Sequence, residues 1–147
     1  MVKFSGGDKL EAKLAELARN VSKAATVEIG FMGDVTEADG QTTAFVAAMN
    51  EYGDAAHNRP PRQFFRGMIK EHSDEWPEGV SAALIANNYD ASKTLGQVGA
   101  HIEGQLKEAI MTYVGPPLSP KTIAKKGFDK QLVDTSAMLK SVAHVVK

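Results

Sequence analysis

Cysteine is absent from this chain of 147 residues. That excludes disulfides and thiolate metal sites, and it fits a reducing compartment. Long apolar runs are missing too, so no stretch has the length needed to span a bilayer. Behind Met1-Val2-Lys3-Phe4-Ser5-Gly6-Gly7 no apolar segment of a secretory leader follows. Nor is there a surplus of either charge: 17 basic side chains face 18 acidic ones, for a formal net charge of -1. A protein that coats nucleic acid carries a basic excess, so DNA contact here needs local clustering. Internal repeats and low-complexity tracts are likewise lacking. What remains is a globular mixture, 43% apolar and 24% charged. The length suits one domain, residues 1–147, with a core that needs no staples. The expectation is a soluble protein made inside the cell.

Periodicity orders the chain. Leu10, Leu14, Leu17 and Val21 recur at helical spacing over about residues 8–24, with Asp8 as cap and Glu11 completing a capping-box-like pair. Val27, Ile29 and Phe31 alternate with Glu28 and Gly30, the pattern of a half-buried strand. Residues 33–41 read as a polar loop, after which Thr42 starts a short helix that Gly53 ends at a left-handed position. Residues 54–62 form a second loop carrying Pro60-Pro61. Phe64, Phe65, Met68 and Ile69 then suggest a short helix, interrupted at Trp76-Pro77, with Pro77 opening the next one toward Asn87-Asn88.

The longest element runs from Asp90 to about Tyr113. Its stripe is Ala91, Leu95, Val98, Ile102, Leu106, Ala109, Ile110 and Tyr113, and at 1.5 Å per residue it is roughly 36 Å long. Gly115-Pro116-Pro117 stops it, and residues 115–119 make a third loop. Ser119-Pro120 opens a short helix closed by Gly127, and Asp134-Thr135 caps a last one running through Ser141. The β-branched tail, Val142 to Val146, adds a strand to the Val27 strand. The fold class is therefore α+β: a small mixed or antiparallel sheet packed by one long helix and several short ones.

Motifs for chemistry are scarce. Gly96, Gly99 and Gly104 lie inside the long helix and follow no strand, so they make no phosphate-binding loop. As helix glycines they allow close packing or sit harmlessly on the surface. His57, His72, His101 and His144 show no paired spacing for zinc. Asp34, Glu37 and Asp39 beside Gly40 resemble a cation loop faintly, but Thr36 and Ala38 fall where oxygen ligands belong. No serine has a nucleophile-elbow context. No catalytic residue, cofactor or metal site is nominated.

Two segments stand out. In RPPRQFFRGMIK (Arg59 to Lys70), Arg62, Arg66 and Lys70 recur every four residues, so on a helix they share one face, beside Phe65 and Ile69. That face is either basic and aimed at DNA or an acidic partner, or a solvated face over an aromatic core contact. The second segment, Pro117 to Phe128, holds Lys121, Lys125 and Lys126, with Lys130 just beyond. It reads either as an assembly or DNA-facing loop or as an ordinary exposed connection.

Four segments, taken in order, resemble a tailed-phage protein family. They are VEIGFMGD (Val27 to Asp34), FVAAMNEYG (Phe45 to Gly53), PPRQFFR (Pro60 to Arg66) and KGFDKQLVDTSAMLKSV (Lys126 to Val142). The family comprises virion-morphogenesis proteins of the neck and tail-completion type, related to the minor tail protein Z of lambdoid phages. Ser136 stands where the family often has glycine after Asp-Thr, and Gln63 and Gln131 where proline is common.

The resemblance implies structural rather than catalytic work. It implies a ring subunit at the head–tail junction or top of the tail, sixfold or twelvefold, present in the virion and made in the host cytoplasm. Its partners would be copies of itself, other neck and tail proteins and DNA passing through the lumen, with no membrane. The expected contact residues are Arg59, Arg62, Phe64, Phe65, Arg66, Lys70, Lys125, Lys126, Asp134 and Thr135, with the glycine side of the long helix bordering the patch. Two other readings compete. One is a small DNA-binding protein using Arg62, Arg66 and Lys70. The other is a metal-dependent hydrolase or nuclease using Asp34, Glu37 and Asp39.

Overall fold

A computed structural model of the chain describes residues 5–37, 39–115, 118–127 and 136–147. In chain order the elements are α1 (Gly7–Val21), β1 (Val27–Phe31), α2 (Thr43–Tyr52), a 3-10 turn (Ala55–His57), α3 (Phe64–His72), α4 (Trp76–Ala86), α5 (Ala91–Thr112), α6 (Pro120–Lys126), α7 (Ala137–Lys140) and β2 (Val142–Val146). The fold is α+β. β1 and β2 pair antiparallel, Val27 opposite Val146 and Phe31 opposite Val142, in a two-stranded sheet. Among the described residues no helix is long and apolar enough to cross a membrane.

Caps explain most boundaries. Thr42, Asp90 and Ser119 each accept a hydrogen bond from the backbone N–H three residues on, satisfying a donor the helix leaves orphaned. Helix α1 departs from expectation. Its cap is Gly6, at φ 117°, whose carbonyl accepts from the Leu10 N–H. Asp8 therefore lies inside the first turn, where its charge suits the helix dipole but closes no capping box. The break before α4 falls at residues 73–75, so Trp76 is the first residue of α4 rather than part of the break.

Ser136 stands at the N-cap position of α7 without a side-chain cap bond, and the expected caps Asp134 and Thr135 lie outside the described residues. Ser136 has φ 63° and ψ 3°, a left-handed conformation that costs an L side chain about 1 kcal/mol and glycine almost nothing. The conformation explains why glycine suits this position. Ser136→Gly should raise the unfolding free energy by about 0.5–1 kcal/mol, read as a higher urea midpoint at unchanged slope.

Helix α5 is the spine, packed against both strands, α3 and α4. The core gathers Ala47, Phe64, Met68, Ile102, Leu106, Ile110, Met138 and Val142, with Phe31 edge-on to Phe64 at 6.1 Å. The apolar stripe predicted for α5 holds at Ala91, Ile102, Leu106 and Ile110, but Thr94, Gly99 and Gln105 are buried as well. Gly99 faces the sheet. A Cβ there would stand 2.6 Å from the His144 ring and 2.8 Å from Val27 Cγ2. Glycine is what lets helix and sheet touch, so this part of α5 is an internal contact and not the subunit border that the sequence suggested.

His144 is anchored in turn by Glu103, whose carboxylate also meets Lys107. The hydrogen bonds from Lys107 and then His144 hold the Glu103 carboxyl below the ordinary value of 4.5, so its folded form favours ionisation. The stability it contributes is present above that value and is lost as pH falls through the lower, folded one. Glu103→Gln should therefore melt roughly 2 °C below wild type at neutral pH, a modest loss because its partners Lys107 and His144 are partly exposed. The gap should close below pH 4.5, which melting curves across pH would read directly.

Candidate functional site

The segment from Asn50 to Lys70 contains most of the nominated residues, and it is built as a lock between α2 and α3. Asp54 starts it by capping the 3-10 turn. Its carboxylate accepts from the Ala56 N–H at 3.1 Å and meets His57 Nδ1 at 2.6 Å. The His57 hydrogen bond is the main reason its carboxyl lies below the usual aspartate range. Asp54 and Arg59 exchange both backbone hydrogen bonds, at 2.9 and 2.8 Å, with Asn58 in the left-handed region at φ 54° between them. The loop expected at 54–62 is thus a closed turn.

Gly53 is wedged under that turn. Its φ is 74° and its ψ is -178°, a combination essentially restricted to glycine. A Cβ would stand 2.7 Å from both the Arg59 carbonyl oxygen and the Pro61 nitrogen.

Beyond Pro61 the chain is fastened to the end of α2. The Arg62 N–H donates to the Asn50 carbonyl at 2.7 Å, and Arg62 Nη1 donates to Asn50 Oδ1 at 2.8 Å. Burial pulls the Arg62 guanidinium below the ordinary arginine value, and its Nε finds no hydrogen-bond partner among the described residues. Helix α3 then begins without a cap from its own Gln63. Glu51, 6% exposed, takes that role from the neighbouring helix. Its Oε2 accepts from the Phe65 N–H at 2.9 Å, and its Oε1 from the Arg66 N–H at 3.2 Å. Arg66 Nε adds a bond of 2.8 Å to the same carboxylate, and the guanidinium lies 4.9 Å from the centre of the exposed Tyr52 ring. A buried carboxylate is tolerated because charge-assisted donors converge on it.

This geometry corrects the sequence reading at several residues. Arg62 precedes the helix, so Arg62, Arg66 and Lys70 do not line one helical face. Arg62 and Arg66 are engaged by Asn50 and Glu51 within the fold, although the Arg66 side chain is still about half exposed. Phe64 is core, 3% exposed, and Phe65 is half-buried. Arg59 and Lys70 are exposed, as is Lys125 on α6. Lys126 is the last residue of α6, and Asp134 and Thr135 lie outside the described residues.

The acidic loop at 33–41 is also laced. Thr36 pairs with Thr42, the Glu37 N–H donates to the Gln41 carbonyl, and Asp39 accepts from the Gln41 N–H. Among the described residues no three His, Asp or Glu side chains are grouped to hold a metal ion.

One feature escaped sequence reasoning. Between α4 and α5 lies an apolar groove of about 350 Å³, lined by Trp76, Gly79, Val80, Ala83, Val98 and His101. Its edge is a satisfied polar network in which Gln105 accepts from Trp76 Nε1 and donates to Glu75 and His101. The signal was present in WPEGVSAALIA, apolar on nearly every side of α4 although no residue of that helix is buried. Comparison of the chain with protein-family models, characterised proteins and solved structures returned no match.

Proposed function

We propose that this chain is a structural virion protein of a tailed bacteriophage. It acts in the neck or in tail completion, in head–tail joining or tail assembly, as one subunit of a ring. The work is non-enzymatic. Its partners are further copies of itself, adjoining neck and tail proteins, and the DNA that passes through the lumen. The reading rests on the four family-like segments, and one observation carries it furthest. The Asn-Glu-Tyr-Gly end of α2 and the Pro-Pro-Arg-Gln-Phe-Phe-Arg turn are physically one unit, joined by Glu51 across α3's first turn. The resemblance thus lies on residues that fix the angle between two helices, as a shared architecture requires.

Native mass spectrometry across protein concentration and salt tests the proposal. A closed ring, sixfold or twelvefold, supports it, and a monomer under all conditions counts against it. Duplex titration addresses the DNA-binding alternative, which requires affinity falling steeply with salt. The engagement of Arg62 and Arg66 within the fold weighs against that alternative.

A further inference from the structure

We infer that the leucine edge of α1 in one copy docks into the groove between α4 and α5 of the next copy. This rests on the ring reading above and names the elements that make its contact. Among the described helices of eight residues or more, α1 and α4 are the two with no buried residue. On α1, Leu10 is 61% exposed, Leu14 57% and Val21 47%, and with half-buried Leu17 they form a row at helical spacing. An exposed apolar row of this kind marks a contact surface.

The attachment of α1 to its own chain lies toward its C-terminal end, where Leu17 is half-buried and polar contacts hold the helix. Asn20 donates to the Asn88 carbonyl, Asn88 donates to Glu16, and Lys23 pairs with Asp90. Held there at the turn between α4 and α5, α1 leaves its own groove unfilled, and none of its residues lines it. The groove floor is open at Gly79, where an added Cβ would meet nothing within 4 Å.

The two surfaces complement each other. An aliphatic row faces an apolar trough large enough for several aliphatic side chains. Lys9 and Lys13 flank one side of the row, Lys13 also pairing with Glu16, and Glu11 flanks the other; exposed Glu75 lines the trough, with Asp74 before it and Glu78 in the first turn of α4. Because row and trough are different patches on one chain, the contact is heterologous, the kind that builds a ring when its rotation closes.

Two variants of the full chain test this by native mass spectrometry: Leu10→Asp with Leu14→Asp, and Gly79→Leu. Both change exposed or open positions, and unchanged circular-dichroism melts would verify the folds. Each variant alone should lose oligomer at least tenfold at concentrations where wild type assembles. Mixed together, they should form a heterodimer and nothing larger, since one supplies an intact helix and the other an intact groove. If both variants still form the wild-type ring, the docking is wrong while the ring reading stands. Monomeric variants that fail to pair on mixing also overturn it. A wild type that stays monomeric at every concentration and salt overturns the docking and the ring reading together.

Discussion

Replacing Glu51 with alanine should lower the unfolding free energy by about 3 kcal/mol, or roughly 10 °C in melting temperature for a domain of this size. The substitution leaves the Phe65 and Arg66 N–H groups without their acceptor at the start of α3 and strips Arg66 of its carboxylate. An ordinary cap loss costs about 1 kcal/mol. This one costs more because the carboxylate is buried and serves three donors. Arg66→Ala separates the cap from the ion pair. The Arg66 side chain is 49% exposed, so solvent screens its pairing, and its loss should cost only about 1 kcal/mol. Equal losses from the two substitutions would show that the ion pair, and not the cap, holds α3. The same geometry changes what an Arg62→Ala, Arg66→Ala double variant can report. Lost assembly in that variant speaks about subunit contacts only if its melting temperature is unchanged.

Gly53→Ala should cost roughly 3–5 kcal/mol, the sum of backbone strain and a displaced turn. Its new Cβ would press on two backbone atoms, the Arg59 oxygen and the Pro61 nitrogen, which have no rotamer by which to retreat. Gly67→Ala is the matched control. Gly67 lies within α3, exposed, with open space where a Cβ would go, so alanine there should stabilise by about 0.5–1 kcal/mol. Urea unfolding of the two variants would compare one substitution with opposite expected signs at two glycines of one segment. A mild effect at Gly53 would mean that the turn at residues 54–61 yields more easily than its paired hydrogen bonds suggest.

Local rules made much of the fold legible. The Thr42, Asp90 and Ser119 caps, the left-handed Gly127 and both strands follow from residue type and spacing, because neighbours along the chain decide them. What stayed hidden was decided by tertiary contact. Glu51 has the look of a solvent-facing glutamate on a short helix, and only α3's proximity turns it into a buried cap. Gly99 reads as a tolerated helix glycine until His144 arrives from β2 to fill the space above it. Arg62 and Arg66 fit a four-residue period, yet the period is void because the helix starts at Phe64, after Arg62. For α1 the sequence gives the leucine row correctly but not its exposure, since amphipathicity alone does not say which surface, within the chain or beyond it, receives the row.

The antiparallel sheet has a consequence for how the protein is made. β1 meets β2 only across the length of the chain, as the Lys147 to Glu28 pair shows at a separation of 119 residues. At roughly 5–20 residues per second of synthesis, β1 emerges on the order of ten seconds before its partner. Over that interval α2 to α5 can form from contacts near in sequence, while β1 keeps an unpaired edge and Gly99 an empty face. Folding should therefore finish in a late step that seats β2 beside β1 and against the long helix. Crowded synthesis of many copies makes that interval the one in which strand edges of neighbouring chains compete for each other.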